Sequence, residues 1–518
     1  MLEGMPPFDL SETMEPKMKD EFTSDAQNIR NEVQASEERE RRSEFLKLCS
    51  QKRSEVLTVL DEKFGPGSGD GMYMEENFFE ISPRSIGVKN TNGEREFHNT
   101  THAIIIANGT VDTLAHLYFS DRFDNRESLG LVMARLEEQY LNGKLEGEHA
   151  EKFEYIKSIE VVALAHDLVQ DFSLEVYKDA HATIGRNRRM YEITNENNTI
   201  LQTLTILMEP DELAAAAAKG IDSSAGVGKF NLTFDELYTT VRATVPASNF
   251  AELGGGRANL DISQRDLTAT LAEIPSDVTT LSWKDRRRFE AAFAIATSDL
   301  RELSGGPSPE VYMNSAHSLL HEVKFGLQDY LRGNAEKLDA PEVQADFAHI
   351  IREVVFWYGA QQHFVKNQQR HFDVTLEGIG TLVKNDTFVD YMRAKYSDAN
   401  YNRNADAAAG FFADLKSVHG KFIYQVLREG YDRWENSDSR NLTLDYVCGQ
   451  LIDRLFDDAD KDELARWYDE ENNRLTPSQK ATNMGSMLRS AQYKVADKFV
   501  DTALVVTVKD APNYPEPA

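Results

Sequence analysis

His98-Asn99-Thr100-Thr101-His102-Ala103-Ile104-Ile105-Ile106 opens the part of this chain in which nearly every segment carries helical periodicity. The apolar block after His102 marks a helix bound for the interior, and side chains four apart on a helix share a face, so His98 and His102 are expected to look into one cavity. Segments of period 3.6 follow at 102–119, 128–142, 151–169, 192–218, 233–243, 284–303, 310–333, 341–384, 406–434, 442–457 and 461–474. Breakers at Asn142-Gly143, Gly220-Ile221-Asp222, Gly254-Gly255-Gly256 and Gly305-Gly306-Pro307 fall between these runs. Strand signals are scarce and no internal repeat is found, so the fold is expected to be all-α.

Residues 1–25 are acidic, contain Met and Pro without period, and read as a mobile tail. The N-terminal region, 26–94, holds charged helices up to Phe64, the stop Gly65-Pro66-Gly67-Ser68-Gly69, and a turn-rich stretch at 78–92 with the pattern of a short hairpin. A main helical domain spans 95–384. The composition shift at Lys384-Asn385-Asp386 and the polar run from Ser397 to Asp406 set off a C-terminal helical region, 385–508, and 509–518 reads as a disordered tail.

The 518 residues hold 57 Lys+Arg against 86 Asp+Glu, a formal charge of -29, which repels phosphate backbones and anionic bilayers. Nucleic acid and membrane are therefore not expected as partners. Two cysteines, Cys49 and Cys448, build no disulfide framework and fit a reducing compartment. The most apolar stretch, from Ile350 to Phe364, is interrupted by Arg352, Glu353, Gln361 and His363, and the start lacks the pattern of a secretory signal. A cytoplasmic protein is expected.

A second constellation ends the helix that carries Ile156, Ile159, Val162, Ala163 and Leu164: the adjacent pair His166-Asp167. An ionised carboxylate and an imidazole in an apolar interior cost several kcal/mol unless paired or bound to a metal. Alone, the pair fits a satisfied helix end. Together with His98 and His102 it gathers the side chains that a divalent cation accepts.

These residues resemble the HD-domain superfamily of metal-dependent phosphohydrolases, an all-α family built on a histidine, an adjacent His-Asp and a distant aspartate. His98-Asn99-Thr100-Thr101-His102 has the His-Asn-x-x-His form of its cyclic-nucleotide phosphodiesterase branch. Ala165-His166-Asp167-Leu168-Val169-Gln170 and Asn195-Glu196 resemble a bacterial branch, and the resemblance covers about residues 95–330. After His166-Asp167 the chain lacks the further Asp-His pair of the phosphodiesterase branch, so a second cation is not implied. The resemblance implies an HD-domain-like helical bundle with the C-terminal helices added.

The family's last aspartate has three contenders, Glu252, Asp261 and Asp299. Asp299 is favoured because it shares a helical stripe with Phe289, Ala292, Phe293, Ala296 and Leu303, whereas the others lie in Gly-rich irregular sequence that hydrates charge cheaply. The resemblance then implies that His102, His166, Asp167 and Asp299 hold one divalent cation and that His98 is the general acid. Two imidazoles and two carboxylates suit iron, manganese, zinc or nickel, with magnesium less suited.

Gly185-Arg186-Asn187-Arg188-Arg189 is the basic cluster of an acidic neighbourhood, and the guanidinium forks of Arg186 and Arg189 fit phosphate oxygens. His181 is not counted as a ligand. Ala225-Gly226-Val227-Gly228-Lys229-Phe230 lacks the first glycine and the hydroxyl of a phosphate-binding loop, and His317 with His321 lacks the glutamate of a zinc-protease motif. The aromatic runs at 356–358 and 411–412 have core spacing.

Two readings follow. One is a metal phosphohydrolase acting on a phosphorylated small molecule or nucleotide, as phosphomonoesterase or phosphodiesterase, with the C-terminal helices buttressing the site or forming a homo-oligomer interface. The other is a non-catalytic helical scaffold or ligand-binding regulator that retains the HD core.

Overall fold

The computed structural model describes residues 16–64, 98–122, 127–169, 176–179, 181–184, 192–244, 247–248, 262–263, 281–299, 304–306, 308–323, 341–436, 444–474 and 479. In chain order the helices are α1 (Pro16–Phe64), α2 (Thr100–Phe119), α3 (Leu129–Leu141), α4 (Glu148–Leu164), α5 (Glu192–Leu207), α6 (Pro210–Lys219), α7 (Phe234–Arg242), α8 (Trp283–Asp299), α9 (Pro309–Val323), α10 (Pro341–Val383), α11 (Asp386–Lys395), α12 (Asp398–Glu435), α13 (Leu444–Leu455) and α14 (Asp458–Arg474). Two antiparallel pairs, β1 (Val176–Asp179) with β2 (His181–Ile184) and β3 (Ala247–Ser248) with β4 (Ile262–Ser263), are the strands among the described residues. The fold is all-α. Among the described residues no helix is long and apolar enough to cross a membrane.

Helix α2 is the axis of the core. Ile104, Ile105, Ile106, Val111 and Leu114 point in successive directions around it, so no face can be left in water, and every residue except Asp112 is buried. It packs along α4 and α8, with α1 on α4. At Gly109 the backbone of α2 comes so close to Ser298 of α8 that a Cβ there would stand 2.7 Å from the serine Oγ.

Helix α8 is fixed along its length. Arg287 is buried, donates to both carboxylate oxygens of Glu236 and to the carbonyl of Asn231 at 3.1 Å, and lies over the rings of Tyr155 and Trp283. Glu236 also accepts from the backbone N–H of Thr233 at 2.7 Å, closing the capping box of α7. Further along, Glu290 accepts from Tyr118 at 2.5 Å and from Arg286 at 2.8 Å.

The long helices α10 and α12 form an antiparallel pair, because Phe372 meets Tyr401, Tyr358 meets Phe411, and Arg352 donates to the carbonyl of Val426 at 3.5 Å. Between them, α11 docks on the end of α2. Asn385 caps it through Phe388 N–H and donates to the Leu117 carbonyl at 3.2 Å, while Tyr391 at 2.5 Å and Lys395 donate to Asp112.

The structure differs from the sequence expectations at several places. Helix α1 already includes residues 16–25, read as tail. The run 192–218 is divided at Glu209-Pro210, where proline begins a new helix. Helix α11 and the first turns of α12 occupy the polar stretch read as a boundary, and their asparagines work inside the fold: Asn404 donates to the carbonyls of Ser304 and Gly306 at 2.7 and 2.8 Å, and Asn400 to that of Gly305 at 3.3 Å. The stretch at 65–97, with its expected hairpin, and the tail at 509–518 lie outside the described residues.

Candidate metal centre

Three helix ends supply the site. Asn99 lies in an extended conformation as the N-cap of α2, its Oδ1 accepting from His102 N–H at 3.0 Å. This places His102 in the first turn and His98 just before the helix, so the two imidazoles do not converge by helical spacing, as expected from sequence, but through the capped turn between them. Their rings lie 5.7 Å apart at 82°.

Helix α4 ends at Leu164, and His166-Asp167 occupies the turn beyond it. Nδ1 of His166 donates to the Ala163 carbonyl at 2.8 Å, which fixes the ring and turns Nε2 towards the carboxylates of Asp167 and Asp299. The carbonyls at this helix end add partial negative charge beside the cluster. The turn is pinned from outside by Lys63 of α1, whose ammonium donates to the Leu168 carbonyl at 2.8 Å, and by Thr199 of α5, whose hydroxyl accepts from Val169 N–H at 3.1 Å. Asp299 comes from the last position of α8.

The donor atoms converge. Asp167 Oδ2 lies 2.9 Å from His166 Nε2, 3.7 Å from His102 Nε2 and 3.8 Å from His98 Nε2. Asp299 Oδ1 lies 3.3 Å from His102 Nε2 and 3.7 Å from His166 Nε2. One atom each from His102, His166, Asp167 and Asp299 falls within 4.8 Å of all the others. Donors held ~2.1 Å from a cation stand roughly 3.0–3.4 Å apart at octahedral or tetrahedral angles; the distances of 2.9 and 3.3 Å lie close to that range and the two of 3.7 Å are wider, so the group could hold a small divalent ion after a slight contraction.

Electrostatics point the same way. Burial disfavours charge throughout the cluster, yet Asp167 and Asp299 push the His166 imidazolium up to about 10. Against the same burial, the neighbouring imidazoles hold Asp167 well below the ordinary carboxylate range, and His102 with His166 lowers Asp299. The potential that retains a proton here attracts a cation. The imidazole side chains are 0–6 % exposed and the two carboxylates 14 % each, so solvent reaches the cluster on the carboxylate side.

Of the expected site residues, His98, His102, His166, Asp167 and Asp299 are brought together. Arg186 and Arg189 lie outside the described residues, as do the rival acids Glu252 and Asp261. His181 begins β2, His317 and His321 lie on α9, and the glycine-containing segment at 225–229 is a loop leading into a short 3-10 turn at Gly228–Phe230. Sequence reasoning missed the groups that orient the clustered side chains: Asn99, the Ala163 carbonyl, Lys63 and Thr199. Only Asn99 had a signal, an N-capping residue directly before an apolar helix.

Compared with protein-family models, curated proteins and solved structures, the chain matches none.

Proposed function

We propose that this protein is a metal-dependent phosphohydrolase of the HD type, acting on a phosphorylated small molecule or nucleotide. The observation that carries the reading is the buried convergence of His102, His166, Asp167 and Asp299, with His98 facing the same oxygen of Asp167 from outside the four. The donor set suits iron, manganese, zinc or nickel better than magnesium. A divalent cation bound there supplies acidified water near neutral pH and charge to balance that building on phosphorus.

The chain's own residues do the rest. The Ala163 carbonyl keeps His166 in the tautomer that offers Nε2. Asp167 and Asp299 provide the anionic charge that selects a cation over a neutral molecule. His98 stands at the edge of the donor group, where an imidazole delivers a proton to a departing alkoxide. In this reading Arg186 and Arg189 meet the phosphate, because a guanidinium fork matches its oxygens.

The test is purification without chelators, measurement of bound metals, and assay of a chromogenic phosphomonoester and phosphodiester with several added metals, beside the His166→Ala/Asp167→Ala double variant. About one metal per chain with turnover lost in the variant supports the hydrolase. Metal without turnover on a broad panel of phosphate esters favours the scaffold or regulator, and no metal in either protein overturns the site.

A further inference from the structure

Asn99 stands between the two histidines that face Asp167 from the α2 side. Its own backbone is extended, with φ -132° and ψ 176°, and the chain turns into the helix immediately after it. The side-chain Oδ1 accepts from the N–H of His102, and the Asn99 carbonyl accepts from Ala103 N–H at 3.1 Å. The amide that the cap satisfies thus belongs to a ligand residue. On the other side, Asn99 is joined directly to His98. One capped turn therefore sets the relation between two imidazoles whose Nε2 atoms lie 3.8 and 3.7 Å from the same carboxylate oxygen.

The rest of α2 does not depend on this cap. Its length from Ala103 to Phe119 is buried on nearly all sides, and packing of that kind rather than end-capping holds a helix in place. Loss of the cap releases the first turn alone, where His102 sits.

We propose that Asn99 is a positioning residue of the candidate metal centre: by capping α2 it holds His98 and His102 on one oxygen of Asp167, without itself touching cation or substrate. The proposal rests on the metal reading of the site. It predicts that a different side chain with equal capping ability replaces Asn99, whereas a side chain that cannot cap does not. Serine caps about as well as asparagine and alanine caps poorly.

The experiment titrates cobalt(II) into the full-length metal-free protein and its Asn99→Ala and Asn99→Ser variants, each first shown by circular dichroism to retain the parent's helix content. The visible cobalt bands report ligand geometry and the titration gives affinity. Asn99→Ala is expected to bind about fivefold to tenfold more weakly, the equivalent of one lost N-cap, with altered bands, and Asn99→Ser to return both to the parent's values. Parent-like binding by Asn99→Ala overturns the proposal. So does an Asn99→Ser variant as weak as Asn99→Ala, which would mean that the amide touches the site directly. A parent protein that takes up no cobalt overturns the metal reading itself, and the proposal with it.

Discussion

Gly109 of α2 and Ser298 of α8 touch so closely that a Cβ on the glycine would lie 2.7 Å from Ser298 Oγ and 3.0 Å from Ser298 Cβ. The neighbour of Ser298 is Asp299, so the separation of these helices governs where that carboxylate lies. Gly109→Ala is expected to push them apart, costing ~1–3 kcal/mol of stability as other overpacked cores do. The urea midpoint should fall at unchanged slope, metal uptake should weaken, and Ser298→Gly in the same chain should restore much of both. No restoration would place the cost elsewhere.

Asp299→Asn keeps the size of the side chain and removes its charge. Replacing groups that merely orient metal ligands costs about 10–100-fold in affinity, so loss of a charged donor is expected to cost at least about 100-fold. Bound metal per chain after dialysis is the measurement, with unchanged circular dichroism as the control. Stoichiometric metal retained by Asp299→Asn would remove this residue from the donor set.

Asn404→Ala removes the donor shared by the Ser304 and Gly306 carbonyls. A loss of ~1–3 kcal/mol is expected for buried acceptors left unmet, read as a lower thermal midpoint. Asn404→Asp, which cannot donate, should behave alike. Parent-like stability in both would mean that water takes over the two bonds.

Burial raises the Cys49 thiol from 9.0 to about 12. The folded state therefore keeps its proton at pH values where the unfolded chain has lost it, and this residue's contribution to stability declines as pH rises from about 9 towards 12. Cys448 is buried as well. Neither thiol is expected to react with a chromogenic disulfide reagent at about pH 8 until the protein is unfolded, when two per chain should appear. Fast reaction in the native protein would contradict the buried placement.

What could be read from the chain depended on which force set the local structure. Where an apolar stripe repeats, as in Ile104-Ile105-Ile106 or in Phe289, Ala292, Phe293 and Ala296, burial decides the conformation and periodicity reports it. His166-Asp167 was legible because an imidazole and a carboxylate at an apolar helix end are costly without a partner, whereas Asp299 was sought because the HD-family resemblance calls for a last aspartate and was chosen for its place on an apolar stripe. Helix α11 and the start of α12 were not legible. Asn385, Asn400 and Asn404 have the composition of a linker, and their use as a cap and as donors to a loop some hundred residues away depends on contacts that no local window contains. The convergence of His98 and His102 was foreseen for the wrong geometric reason, since the helix begins after Asn99 rather than before His98.

The order in which the donors appear along the chain has a consequence for biogenesis. His102, His166 and Asp167 emerge from the ribosome well before Asp299, and the segment at 304–306 that follows α8 is bonded by Asn400 and Asn404, which come much later in the chain. Contacts of such sequence separation close late, because the entropy of the intervening chain is lost first. The cluster of His102, His166, Asp167 and Asp299 is therefore expected to close late in folding. A nascent chain stopped short of residue 299 holds His102, His166 and Asp167 without Asp299, so the proposed metal centre is completed only once α8 has packed on α2.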